Sequence, residues 1–206
     1  MAQRGYFISF EGIDRSGKST QAALLAESLG ERALLVREPG GTVLSERVRE
    51  ILKDPGIELS PRAEALLFAA ARADLVETVI EPELAAGRVV IADRYIDSSL
   101  AYQGVVRGLG IDAIAELNDW ASGGLLPDRT FLISIDPQRA ATRGVEVGDR
   151  FEDEGLSFQQ AVAAAYEELA AAAAERIVKV DGDREPDAVA ADVARLAGEL
   201  IGTVAA

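Results

Sequence analysis

Short apolar runs alternate along this chain with longer stretches in which apolar residues recur every three or four positions. Tyr6, Phe7 and Ile8 read as a first buried strand, and Ala22, Leu25 and Leu29 then share one face of a helix from Gln21 to Leu29. A second strand is predicted over Ala33 to Arg37 and a short helix over Ser45 to Leu52, which Asp54, Pro55 and Gly56 break. Ser60 is placed to cap a long helix with Pro61 in its first position. Leu66, Leu67, Ala70 and Ala71 keep helical spacing along it as far as about Ala86. Pro82, which cannot donate to the preceding turn, should kink or divide that helix. After Gly87, the run Val89, Val90, Ile91 within Arg88 to Ala92 predicts a third strand.

The second half repeats the rhythm. Helices are predicted over Ser98 to Val106 and Asp112 to Ala121, with Gly108 and Gly110 between them, and a fourth strand over Thr130 to Ile135. Asp136 and Pro137 start a short helix carrying Arg139 and Arg143. Gly144 to Gly155 is polar, charged and punctuated by glycine, the composition of a mobile loop. The Ala-rich stretch Phe158 to Arg176 reads as a packing helix, Ile177 to Val180 as a fifth strand and Pro186 to Ile201 as the closing helix. Strands alternating with helices throughout predict an α/β chain, a three-layer sandwich whose five-stranded parallel sheet is flanked by helices on both faces. At 206 residues, with no linker-like stretch and no internal repeat, one domain over residues 1–206 is expected, with 144–155 as its lid.

Composition narrows the chemistry. There is no His and no Cys, so the commonest general base and any thiol chemistry are absent, and catalysis must run on carboxylates, Arg, Lys and metal. With 35 acidic against 21 basic residues the net charge is -14, which argues against a nucleic-acid-binding surface. The only lysines are Lys18, Lys53 and Lys179, and several arginines sit at segment ends beside Gly, Asp or Pro. Such arginines suit small anionic substrates, because a planar guanidinium grips phosphate through two parallel hydrogen bonds. The chain enters its first strand almost at once, without a basic region, a long apolar segment or a cleavage signal, which predicts a cytoplasmic protein with no membrane partner.

The chemistry concentrates at Phe10 to Thr20, FEGIDRSGKST, where Gly12, Gly17, Lys18 and Ser19 fit the GxxxxGK[ST] phosphate loop in the required strand, loop, helix order. Glycines let main-chain N–H groups close around phosphate oxygens, the helix N-terminus adds positive potential, Lys18 reaches the outer phosphates and Ser19 is the expected Mg2+ ligand. Asp93, Arg94 and Tyr95 leave the third strand at the same edge, where ligands collect in open parallel sheets. The loop alone leaves GTPases, ATP-driven motors and small-molecule kinases open. The only Asn is Asn118, followed by Asp119 and Trp120, so the NKxD signature of guanine-specific GTPases is missing. A motor or regulatory ATPase could use Asp93 as its metal-associated carboxylate. A nucleotide kinase accounts for more residues: Arg37, Arg72 and Arg94 as candidates for the acceptor phosphate, and Arg15, Arg139, Arg143 and Arg150 for the donor and the transition state. A phosphate monoester acceptor needs no histidine, since its second pKa is about 6 and it is already largely dianionic.

Five segments, EGIDRSGKST at Glu11, REPGGT at Arg37, LLFAAARADL at Leu66, DRYIDSSLAYQG at Asp93 and GDRFE at Gly148, carry a resemblance to the thymidylate kinase family that runs from the first strand to the last. It implies transfer from ATP to dTMP, with Mg2+, in a homodimer. The loop residues Gly12, Arg15, Ser16, Gly17, Lys18, Ser19 and Thr20, with Arg143, would bind ATP; Ser19 and Asp93 would meet the metal. Phe68 would stack on the pyrimidine and Arg72, one helical turn on, would reach its carbonyl edge. Ser99, Tyr102 and Gln103 would surround the base edge and the sugar, Pro39 would wall the methyl group, Asp14 would meet the sugar 3′-hydroxyl, and Arg37 and Arg94 would serve the acceptor phosphate. Members of the family place a transition-state arginine either in the loop or in the lid. This chain has both Arg15 and Arg150, and the favoured expectation is that Arg15 dominates. The alternatives are a kinase for another nucleoside monophosphate or a deoxynucleoside, and a P-loop regulatory or motor ATPase.

Overall fold

The structure is a computed structural model that describes residues 4–143 and 154–202. In chain order its elements are β1 (Phe7–Glu11), α1 (Lys18–Leu29), β2 (Ala33–Arg37), α2 (Val43–Lys53), α3 (Pro61–Leu75), α4 (Glu81–Ala85), β3 (Val89–Asp93), α5 (Ile96–Ser99), α6 (Ile111–Ser122), β4 (Arg129–Ser134), α7 (Pro137–Ala141), α8 (Leu156–Ala172), β5 (Ile177–Asp181) and α9 (Pro186–Ile201). The five strands form one parallel sheet in the order β2-β3-β1-β4-β5.

Helices cover both faces of the sheet because its central strand is buried from end to end. Successive side chains of β1 point to opposite layers. Ile8 and Phe10 pack with Ala22 and Leu25 of α1 and with Val189, Val193 and Ala197 of α9. Phe10 meets Phe131 of β4 at 5.4 Å between ring centroids; truncating either ring to Ala would cost about 3–5 kcal/mol. On the other face Phe7 lies edge-on to Tyr95 at 4.8 Å and packs among Leu75, Val76, Ile80 and Leu84. Leu132 on that side meets Val162, Ala165, Tyr166 and Leu169 of α8.

The same alternation puts Ser9 and Glu11 on the Phe7 face, where burial demands partners. Ser9 Oγ lies 2.7 Å from Thr130 Oγ1. Thr130 in turn bonds Asp97, which receives both terminal nitrogens of Arg176 at 2.7 Å. Glu11 belongs to this polar column. The apolar run predicted a strand ending near Ile8; the strand extends through Glu11 because these side chains are satisfied inside.

Other boundaries moved for local reasons. The helix begun at Ser60, whose side chain accepts from Ala63 N–H, widens into a π turn over Val76–Ile80 before α4. Pro82 in the first turn of α4 leaves the carbonyl four residues back without its helical donor, so the ladder loosens ahead of the proline. The helix expected from Ser98 starts at Ile96 and also loosens into a π turn, Leu100–Val106. The Ala-rich helix ends at Ala172, not Arg176, and the turn that follows aims Arg176 at Asp97.

Helices α2 and α3 pack together, as do α3 and α6. They leave an apolar surface of Val43, Leu44, Leu66, Ile111 and Trp120, the last 84% exposed. Among the described residues no helix is long and apolar enough to cross a membrane.

Candidate active site

A cleft of about 730 Å³ opens at the carboxyl edge of the sheet, with the loop after β1 on one side and residues of β2, β3, α3 and α5 on the other. Among the described residues, every sequence-predicted site residue lines it except Gly12 and Arg139. Gly12 sits behind the wall: a side chain there would meet the Ile133 carbonyl oxygen at 2.6 Å, and its φ of 144° lies where L side chains are strained. Arg150, and residues 144–153 of the expected lid, lie outside the described residues.

The donor end is shaped by backbone. Gly17 at φ 97° leads into α1, which has no side-chain cap. By contrast Thr42, Ser60 and Asp136 cap α2, α3 and α7. The unfilled N–H groups of the first turn are therefore directed at the cleft, the arrangement that holds phosphate at a helix N-terminus. Ser19 and Thr20 are exposed there. Lys18 is buried, its Nζ 3.4 Å from Ile13 O and 3.7 Å from Asp14. Burial, then the neighbouring Arg94, lowers its pKa, so an anion between the two cations would relieve both. Arg143 reaches in from beyond α7 to Ser16 O at 3.3 Å and Gly182 O at 2.8 Å. Arg139 turns away to Asp183 at 2.6 Å and does not line the cleft, which removes it from the donor candidates.

The two ends meet at Asp14 and Arg94. Arg94 Nη2 lies 2.5 Å from Asp14 Oδ1, while Gln159 of α8 donates to Asp14 Oδ2 at 2.9 Å and accepts from Asp14 N–H at 3.3 Å. Burial pushes the Asp14 carboxyl up, but Arg94, Lys18 and Gln159 together outweigh it and hold it at about 2. Arg94 itself adopts φ 73°. Its guanidinium touches Gly12 O, Ser98 Oγ, Tyr166 Oη and Tyr102 Oη at 3.1–3.3 Å.

The end of the cleft around Arg72 is built from long-range partners. Arg72 is 1% exposed. Glu38 takes its Nε at 2.8 Å and Nη2 at 2.5 Å, and Nη1 donates to Ser99 Oγ at 3.1 Å and to Asn118. Burial raises the Glu38 pKa against the pull of Arg72. Phe68 and Pro39 line the same pocket. Gln103 is buried with its amide donating to Glu64 at 2.9 Å, and Arg37 is half exposed and holds Glu46 through two bonds of 2.8 and 2.9 Å. Arg37 therefore faces the cleft with its charge already shared.

Sequence reasoning gave no role to Glu11, Glu38, Asn118, Gln159 or Tyr166. Glu11 and Glu38 stand inside quoted motifs, and their signal was a carboxylate in an otherwise apolar strand or at its end. Glu11 is fully buried, accepting from Tyr95 N–H, Ser98 N–H, Ser98 Oγ and Tyr166 Oη. Burial and then Asp97 raise its pKa to about 7, against Ser98 and Arg94. Ser16 Oγ and Asp93 Oδ1 are buried without a hydrogen-bond partner among the described residues.

An uncapped phosphate loop facing an arginine-lined second pocket across one cleft is the architecture of a P-loop kinase for small phosphorylated acceptors. The thymidylate kinase family model matches residues 10–193. The thymidylate kinase of Symbiobacterium thermophilum is 44% identical over 200 residues, covering 95% of this chain and 94% of that one. That of Chromobacterium violaceum is 45% identical over 196 residues, covering 93% and 92%. The crystal structure of thymidylate kinase from Ehrlichia chaffeensis superposes with a TM-score of 0.79 at 33% identity, over 94% of this chain and 99% of the other. The chain belongs to the thymidylate kinase family.

Proposed function

We propose that this enzyme transfers the γ-phosphoryl group of ATP to dTMP, giving ADP and dTDP, as a single P-loop kinase domain acting in the cytoplasm. The observation that carries the reading is the Arg94–Asp14 contact, because it joins the phosphate loop to the pocket that contains Phe68, Arg72 and Ser99. ATP occupies the loop from Gly12 to Thr20, with Lys18 on the outer phosphates and Arg143 beside Gly182. dTMP lies with its base along Phe68 and Pro39, its carbonyl edge at Arg72 and Ser99, its sugar near Asp14 and Tyr102, and its phosphate on Arg94. Gln103 lines the same pocket with its amide held by Glu64.

Two anions so placed need neutralisation and alignment more than proton transfer. The acceptor phosphate is already the nucleophile, and Lys18, Arg94 and Arg15 supply positive charge where negative charge shifts during transfer. Mg2+ fits the residues present: the buried, unpartnered Asp93 Oδ1 and the exposed Ser19 hydroxyl offer hard oxygen ligands. Bound there with the donor phosphates, it would neutralise charge developing on the β- and γ-oxygens. A homodimer through the apolar surface of α2, α3 and α6 is part of the same reading. A Trp120→Asp variant should sediment as a monomer.

Coupled ADP release from ATP and Mg2+ tests the reaction, with dTMP, dUMP, dCMP, dGMP, UMP and CMP as acceptors and a no-acceptor control. Release that appears with dTMP and falls sharply for the others is expected. Equal release with no acceptor would sink the kinase reading, and equal turnover of dUMP would sink the methyl-reading pocket.

A further inference from the structure

The Ala-rich helix α8 carries more than packing. Most of its buried face is apolar, with Val162, Ala165, Leu169 and Ala170 against the sheet and the π turn Leu100–Val106. Tyr166 lies on that face, 3% exposed, in a place where a phenyl ring would fill the same volume. A phenol hydroxyl is kept in such an interior only where it has partners. Here it has three. Its Oη donates to Glu11 Oε2 at 2.9 Å, lies 2.8 Å from Ser98 Oγ and accepts from Arg94 Nη1 at 3.3 Å.

The directions of these bonds matter. Ser98 Oγ also donates to Glu11 Oε2, at 2.6 Å, and accepts from Arg94 Nη1 at 3.1 Å. When ionised, the carboxylate is an acceptor only; it draws both hydroxyl protons toward itself and so turns the lone pairs of both hydroxyls toward the guanidinium. Glu11 is fixed in turn by the Tyr95 and Ser98 main-chain N–H groups at 2.8 and 3.2 Å. The result is a cradle in which β1, α5 and α8 each contribute one side chain, Glu11, Ser98 and Tyr166, behind one arginine. Arg94 needs such support, since its backbone is held at φ 73°, a conformation that L side chains rarely adopt.

We propose that Tyr166 is a positioning residue for the acceptor phosphate: with Ser98 it relays the fixed orientation of Glu11 to the guanidinium of Arg94, tying that arginine to helix α8. The proposal rests on the reading of Arg94 as the arginine that holds the acceptor phosphate.

Tyr166→Phe keeps the ring and its packing and removes only the relay. The measurement is steady-state kinetics of Tyr166→Phe, Arg94→Met and the double variant, with dTMP and ATP varied separately and Tm recorded for each. A hydrogen bond to a charged group is at stake, so about a tenfold loss in kcat/KM for dTMP is expected from Tyr166→Phe. KM for ATP should stay unchanged. In the Arg94→Met background the same substitution should have no further effect, since there is no guanidinium left to orient. Ser98→Ala provides a second probe of the cradle and should show the same selective loss. A Tyr166→Phe enzyme with wild-type dTMP kinetics, or one whose loss is equally large in the Arg94→Met background, would overturn the proposal. Arg94→Met with wild-type dTMP kinetics would instead remove the reading of Arg94 beneath it.

Discussion

The two ends of the cleft are built by opposite means. At the donor end the protein leaves main-chain groups unfilled: α1 begins without a capping side chain, and Gly17 bends the backbone so that the first turn faces outward. At the acceptor end the recognising side chains are bound by others before any ligand arrives, Arg72 by Glu38, Ser99 and Asn118, and Arg94 by Asp14, Ser98, Tyr102 and Tyr166. On the proposed reading, a polyphosphate would be gripped by many weak, fixed dipoles, and a base and a single phosphate would be met by a few strong groups, which read correctly only if they cannot swing.

The largest way to break the contrast is at its cationic centre. Replacing Lys18 with Met should lower kcat by about 10³-fold or more while leaving the sheet intact, because a fixed charge on the transferring group is lost. Single-turnover phosphoryl transfer with CD as a folding control measures it. An active Lys18→Met enzyme would mean that backbone dipoles alone suffice.

Next is the acceptor pair. Arg72→Met should destabilise the fold by about 3–5 kcal/mol, because it strands Glu38 as a buried charge. Adding Glu38→Leu should restore much of that stability without restoring dTMP turnover. Denaturant unfolding and kinetics read the two effects separately, and recovery of activity in the double variant would show that Arg72 is structural only.

The comparison sharpens further at Arg15, which sits in the loop at φ 62° and lines the cleft. Arg15→Gly should cost about 10²-fold in kcat, and Arg150→Ala less, if the loop arginine stabilises the transition state. Nearly unchanged turnover in Arg15→Gly beside a severe loss in Arg150→Ala would reverse that ranking.

The smallest effect is in pH. The Glu11 carboxyl is raised from 4.5 to about 7, so the unfolded chain releases its proton first. The stability linked to this group is fully present below pH 4.5 and is lost as pH rises through about 7. Asp14, lowered from 3.8 to about 2, has the opposite sign: its contribution is present above pH 3.8 and is lost as pH falls through about 2. Glu11→Gln should flatten the stability profile between pH 4.5 and 7 and leave the acid limb in place, as Tm against pH would show.

The contrast also explains what could be read from the sequence. The phosphate-loop end is local: strand, glycines, Lys18 and Ser19 fall within one contiguous stretch, so the motif and the wall it builds coincide. The five strands and their parallel arrangement were legible for a similar reason, since each apolar run is continuous and each helix face repeats, whereas the strand order β2-β3-β1-β4-β5 was not. The acceptor end was legible only in its outermost groups. What orients Arg72 comes from 34 residues before it and 46 after it, and Glu11 meets Tyr166 across 155 residues. Periodicity assigns Tyr166 and Asn118 to buried faces, as it would for an apolar residue, and gives no sign of where a hydroxyl or an amide will point. The packing reading of α8 holds for Ala165 and Ala170, whereas Ala161, Ala164, Ala171 and Ala172 face outward, and it is incomplete for Gln159 and Tyr166.

Trp120, the chain's single tryptophan, stands almost bare on α6, two residues beyond the asparagine that holds Arg72. Its indole does not line the cleft, so nucleotides have no ring there to quench by contact. The native fluorescence of the unlabelled enzyme is thus a gauge of what covers the α2, α3 and α6 surface: a blue shift with rising protein concentration reports burial by a second copy, and an emission maximum fixed at the water-exposed wavelength reports a bare face.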